Sequence, residues 1–229
     1  MQHADRSRRV VLAPLALTAP LCAALLLPAA LGSCQSAYYA TMEKFGVHKR
    51  DILVDRVEEG RDAQKEAKTE IVSALEAFKA VTNFDGGELE KVYERLSDRY
   101  ESSAEAVGEV RERIAKIEDV AAALFKEWAS EIEGMQDPEL KRQSREMLVD
   151  TKERCAKVTG AMKAAESKME PVLTRLKDHV TFLKHNLNAK AVASLQKNLF
   201  TIETDVSALV ADMEKSIAEA ESFIASMKE

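Results

Sequence analysis

The feature that most constrains this fold is a heptad pattern of apolar and small residues in the middle of the chain. From residue 93 to residue 128 these residues recur at alternating steps of three and four, without a fault. Such spacing places them on one face of an α-helix and is typical of the buried seam of a coiled coil or helical bundle. The residues of this seam are Tyr93, Leu96, Tyr100, Ser103, Val107, Val110, Ile114, Ile117, Ala121, Leu124 and Trp128.

Similar spacing on both sides of this seam predicts four helices, at about 36–82, 88–133, 138–185 and 189–228. The first helix has one polar member in its seam, Gln64. The connections at 83–87, 134–138 and 186–188 carry glycine, proline and asparagine, which end helices and form turns. Each helix is therefore expected to turn back onto the next.

Four long helices joined by short loops favour antiparallel neighbours. We predict an all-α fold, namely an elongated antiparallel four-helix bundle or coiled coil of long helices, roughly 60–70 Å long. Two extended hairpins, or a dimer built from them, are the alternative. Pro171 lies inside the third helix. Because the seam continues across it, we expect a kink there, and a split helix is the other possibility.

The N-terminal stretch predicts a lipoprotein signal peptide. Three arginines precede an uncharged apolar run from Val10 to Leu31, as in a secretory signal. The run ends in Leu31-Gly32-Ser33-Cys34, which resembles the bacterial lipoprotein signal, so Cys34 is predicted to be lipidated. An ordinary signal peptide with an accidental Cys, and a retained transmembrane helix, are the alternatives. The predicted domains are 1–33, the lipoprotein signal peptide, and 34–229, a single helical bundle domain.

The residue after Cys34 bears on the destination of the anchor. Gln35 stands where many Gram-negative lipoproteins of the inner membrane have Asp. By that resemblance we expect the outer membrane, with the chain facing the periplasm, and the inner membrane stays open. Two or more acyl chains hold a protein firmly to a bilayer, whereas one holds it only marginally.

Composition narrows the function classes. The chain has 33 basic and 39 acidic residues, and the predicted signal peptide removes three Arg and only one Asp. The acidic remainder argues against nucleic acid as a partner and against broad adhesion to anionic lipid. Glycine, proline and aromatic residues are scarce, as in long helices and coiled coils.

An up-down-up-down topology places two turns at the end away from Cys34, the distal end, and the start of the first helix at the other. The distal turns are predicted to face a partner, and the alternative is that their residues only shape the turns. A basic stretch near the anchor is predicted to contact lipid headgroups, or else to be a solvated stretch of helix. The distal candidates are Asn83, Phe84, Asp85, Lys184, His185, Asn186 and Asn188, and the membrane-proximal candidates are His48, Lys49 and Arg50.

No motif predicts catalysis, a metal or a cofactor. A di-iron bundle needs Glu-x-x-His on two helices, and His48, His179 and His185 lack a glutamate three positions earlier. The chain also lacks a phosphate-binding glycine loop and a Gly-x-Ser-x-Gly elbow. We therefore predict no catalytic or metal-binding residue, and we expect Cys155 and Trp128 in the core.

Three segments resemble a family of Gram-negative lipoproteins catalogued as a domain of unknown function. They are YYATMEKFGVHKRDIL at 38–53, NFDGG at 83–87 and FLKHNLNA at 182–189. The resemblance would cover essentially the whole chain after Cys34. It implies the envelope location and the helical fold, and it assigns no activity, cofactor or site residue.

The sequence as a whole predicts a non-enzymatic, lipid-anchored periplasmic bundle that acts as an interaction or structural protein of the cell envelope. Its partners would be membrane lipid, through acylated Cys34, and an envelope protein, with no nucleic acid. A self-assembling coiled-coil spacer or homo-oligomer is the main alternative. An enzyme or metal carrier is a third reading.

Overall fold

The structure is a computed structural model, and it describes residues 48–228. Residues 1–47 lie outside the described residues, and with them the predicted signal peptide and the lipidation site Cys34. The described chain is helical between its turns and has no strand. Its four helices are α1 (Lys49–Thr82), α2 (Leu89–Gly134), α3 (Pro138–His185) and α4 (Ala189–Lys228).

Each helix packs against its neighbours in the chain, and α1 also packs against α4, which closes the ring. The connections between successive helices are short, so neighbours are antiparallel. The predicted all-α four-helix bundle is thereby confirmed. Two separate hairpins would lack the packing of α2 on α3 and of α1 on α4, so that alternative is wrong for the single chain. Among the described helices, none is long and apolar enough to cross a membrane.

All four helices contribute seam residues to the core. In α1 every predicted member of the row is buried, including the polar Gln64 and the small Gly60. Gly60 is needed where α1 approaches its neighbours, because a Cβ there would lie 2.9 Å from Ile117 Cδ1 and 3.4 Å from Met162 Cε. Cys155 is buried, as expected, and its thiol is free among the described residues. The heptad spacing of the third helix also predicts that Leu140 lies in the seam, but Leu140 is 58% exposed.

Local chemistry explains the helix ends. The Asp137 carboxylate accepts hydrogen bonds from the backbone N–H groups of Glu139 (2.8 Å) and Leu140 (3.0 Å), which caps α3. Gly86 and Gly87 take positive φ angles of 151° and 103° between α1 and α2, a conformation that favours glycine. The connection from α1 to α2 therefore depends on these two residues.

The start of α1 differs from the expectation, and the course of α3 decides between the two alternatives for Pro171. The described part of α1 begins at Lys49, because His48 has an extended backbone (φ −83°, ψ 151°), whereas the prediction ran from about residue 36 without a break. Residues 36–47 lie outside the described part. In α3 the helix is continuous through Pro171, so the split alternative is wrong.

Candidate functional site

The distal end of the bundle brings the two predicted partner-facing turns together. The Gln196 side chain of α4 donates a hydrogen bond to the Thr82 carbonyl at the end of α1, at 2.7 Å. This bond ties the start of α4 to the end of α1, so both turns lie at one end of the molecule. Asn83 and Asp85 are exposed there and Phe84 is half-buried.

The asparagines of the second distal turn are used within the turn itself. The Asn186 side chain donates to the Phe182 carbonyl (2.9 Å), and the Asn188 side chain accepts from the Ala191 N–H (3.1 Å). Both side chains thus cap helices, which is the alternative reading of these residues. The neighbouring Lys184 and His185 are exposed.

Apolar surface also occurs at the distal end. Phe182 is 41% exposed and Leu187 is 39% exposed. These two residues lie on the last turn of α3 and in the connection that follows it. They were not among the candidates, because a heptad pattern identifies only what faces the seam.

At the opposite end, the predicted basic contact is largely engaged within the protein. The Lys49 ammonium pairs with the Glu127 carboxylate of α2 at 2.8 Å. The Arg50 guanidinium donates a hydrogen bond to the Met227 carbonyl of α4. The His48 carbonyl accepts hydrogen bonds from the backbone N–H groups of Asp51 and Ile52. These bonds form the first turn of α1. Lys49 and Arg50 therefore hold the start of α1 against α2 and α4.

A cavity of about 310 Å³, here called the apolar pocket, opens beside Arg50. Leu124, Trp128, Met147 and Met227 supply its apolar lining, and they come from α2, α3 and α4. The pocket is large enough for a small ligand, since the volumes of small-molecule sites begin at roughly 300 Å³. Trp128 is half-buried and lines this cavity, so the expectation that it fills the core is wrong.

The pocket exists because the α2–α3 hairpin extends beyond the ends of its neighbours. Lys49, the first residue of α1, pairs with Glu127, yet α2 continues to Gly134. The last turns of α2 therefore project roughly 10 Å past Lys49. On α3, Met147 is 60% exposed and Leu140 is 58% exposed. Among the described residues, no helix covers this part of α2 and α3.

Charged groups surround the mouth of the apolar pocket. Arg154 pairs with Asp150 and Glu127 pairs with Lys49. Among the described residues, Arg50 has no carboxylate partner and Glu131 has no hydrogen-bond or ion-pair partner. The mouth thus presents one positive and one negative group without a charged partner.

The described residues offer no arrangement for metal chemistry: no group of three or more His, Cys, Asp or Glu side chains could hold an ion. Burial raises the pKa of the Cys155 thiol to about 11, which keeps it protonated and unreactive at neutral pH. His179 lies with its ring centroid 5.0 Å from that of Phe78, and burial lowers its pKa. Neither Cys155 nor His179 lines the apolar pocket.

By its fold, the described part of the chain is an all-helical bundle. It has an apolar pocket at one end and exposed apolar residues at the other. The chain belongs to the family described as protein of unknown function (DUF2959), whose profile matches residues 38–227. The resemblance of the three segments to a domain-of-unknown-function family is thereby confirmed. No curated protein and no solved structure matches the chain.

Proposed function

We propose that this chain is a lipid-anchored, non-enzymatic protein of the Gram-negative cell envelope. It would be held in the outer membrane through acylated Cys34 and would contact an envelope partner in the periplasm. The proposal rests on the anchor motif and on where apolar surface is exposed. Large apolar side chains are exposed near the two ends of the bundle, at Leu140 and Met147 and at Phe182 and Leu187.

This distribution supports a binding or spacing role over catalysis. Seam residues fill the core of the bundle. Three further large apolar residues are exposed in the described part of the chain, namely Val72, Val149 and Phe200. A rod roughly 60–70 Å long with adhesive ends can connect a membrane anchor with a partner at a distance. The distal residues Phe182 and Leu187 would meet that partner.

The anchor is tested by intact mass and membrane fractionation of the native protein beside a Cys34→Ala variant. We expect the native chain to begin at Cys34, to carry the mass of the acyl groups and to sediment with the outer membrane. The variant should carry no acyl mass. A soluble, unacylated native chain would refute the anchor.

The partner contact is tested by photo-crosslinking in whole cells. A crosslinking residue at position 187 should give one adduct of constant mass, and the additional substitution Phe182→Asp should abolish it. A crosslinking residue at position 72, where Val72 is 38% exposed in the middle of α1, is the matched control. Equal adducts from both positions would contradict a distal contact.

A further inference from the structure

We propose that the apolar pocket binds the acyl chain of a phospholipid whose headgroup is zwitterionic. Arg50 would receive the phosphate and Glu131 the ammonium group. This assignment rests on the proposed function, because the anchor would keep the pocket supplied with envelope lipid.

The size and lining of the pocket favour a chain over a protein segment. A cavity of about 310 Å³ is at the lower end of the range for small-molecule sites and is too small to receive the face of a partner helix. Leu124, Trp128, Met147 and Met227 give it an apolar lining, and methionine adapts to flexible apolar ligands. Part of one acyl chain fits this description.

The exposed part of α3 continues the apolar surface away from the pocket. Met147 lines the cavity and is also 60% exposed. Leu140 lies seven residues earlier, two helical turns away on the same face, and is 58% exposed. An acyl chain in the pocket can therefore extend along α3 towards the end of the hairpin.

The charged groups at the mouth of the pocket indicate which lipid headgroup would bind. Arg154 with Asp150, and Lys49 with Glu127, are already paired. Among the described residues, Arg50 has only the Met227 carbonyl as a partner and Glu131 has no partner. One uncompensated cation and one uncompensated anion complement a phosphate and an ammonium together. An anionic headgroup would leave Glu131 unpaired, and a cationic amphiphile would leave Arg50 unpaired.

The test uses Trp128, which lines the pocket and is the only tryptophan of the chain. The native protein is placed in micelles of a neutral detergent that contain equal amounts of phosphatidylethanolamine and phosphatidylglycerol. One of the two lipids carries brominated acyl chains, which quench tryptophan fluorescence on contact. The two samples have the same composition and differ only in which lipid is labelled.

We expect strong quenching when phosphatidylethanolamine is labelled and weak quenching when phosphatidylglycerol is labelled. Arg50→Gln should raise the amount of phosphatidylethanolamine needed for half-maximal quenching about tenfold, as loss of a charged hydrogen bond does. Glu131→Gln should remove the preference between the two lipids. Arg95→Gln, which removes an exposed arginine from a shallow groove between α1 and α2, should change nothing.

The assignment is overturned if Trp128 is not quenched, if both labelled lipids quench equally, or if Arg95→Gln has the effect of Arg50→Gln. Micelles supply lipid whether or not Cys34 is acylated. Failure of the lipid site is therefore distinguishable from failure of the anchor, which the mass measurement decides.

Discussion

Gln64 is a polar residue in the middle of an apolar core. Its side chain is completely buried, and its Oε1 accepts a hydrogen bond from the Ser216 hydroxyl of α4 at 2.8 Å. Its Nε2 has no partner among the described residues. A buried amide N–H without an acceptor costs roughly 1–3 kcal/mol, so this pair is retained at a cost in stability. A buried polar pair of this kind can fix the register of two helices, as in coiled coils.

The first prediction concerns this pair. Gln64→Met together with Ser216→Ala should raise the free energy of unfolding by roughly 1 kcal/mol, because no polar group is then buried. Ser216→Ala alone should lower it by about 1–3 kcal/mol, because Gln64 loses its remaining hydrogen bond. Urea denaturation of the three proteins measures both changes. A double variant less stable than Ser216→Ala would show that the amide is better satisfied than the geometry indicates.

The second prediction concerns His179. Burial lowers its pKa in the folded protein below the unfolded value of 6.5. The folded state therefore binds this proton less readily than the unfolded state, so the contribution of His179 to stability is present above about pH 6.5 and is lost as the pH falls below it. Part of the stability of the native protein should disappear between about pH 7 and pH 5.

Substitution separates this effect from the titration of carboxylates. His179→Gln should flatten the dependence of unfolding free energy on pH in that range, as measured by urea denaturation at each pH. His185→Gln is the matched control, since His185 is exposed in the distal turn. The interpretation fails if the two variants have the same slope as the native protein.

At the scale of single helices, glycine positions test how closely the helices pack. Nothing lies within 4 Å of a Cβ built on Gly108 or Gly160, both exposed inside long helices. Alanine at either position should stabilise the protein by about 1 kcal/mol, the difference in helix propensity. Gly60→Val should instead destabilise it by roughly 1–3 kcal/mol, because its side chain would overlap Ile117 and Met162.

Thermal unfolding followed by circular dichroism measures all three variants against the native protein. Alanine and valine both have a higher helix propensity than glycine, so a difference in the sign of the effect comes from packing. If Gly60→Val is as stable as the native protein, α1 can move away from α2 and α3 without loss.

The elements also show what a single sequence can and cannot predict. Burial of the α1 seam followed directly from periodicity, because every member of that row has α2 and α4 beside it. Periodicity failed for Trp128 and Leu140, since it reports which face is apolar and not where the neighbouring helices end. The apolar pocket arises from that mismatch of helix ends, so the pattern alone could not predict it. The start of α1 was also missed, because the low helix propensity of Gly46 does not by itself position a boundary.

At the scale of the whole molecule, the ion pairs between helices add little to stability but help to select the neighbours. Arg113 of α2 pairs with Glu59 of α1 at 2.7 Å, and Lys157 of α3 pairs with Glu219 of α4 at 2.8 Å. Such exposed pairs contribute between 0 and about 1 kcal/mol each. Stability therefore depends on the filled core, which residues from the four seams of one chain form together.

The last prediction concerns self-assembly. A coiled-coil oligomer needs a seam that faces another chain, and the seams of the described helices are used within the bundle except at the projecting α2–α3 hairpin. We therefore expect one chain per micelle in sedimentation equilibrium under density-matched conditions, over a wide range of protein concentration. If a dimer forms, the substitution Met147→Glu tests where its interface lies, because Met147 is on the exposed part of α3. Dissociation by Met147→Glu would place the interface at the projecting α2–α3 hairpin and would favour the self-assembling spacer. A dimer that survives the substitution would require an interface along the length of the bundle.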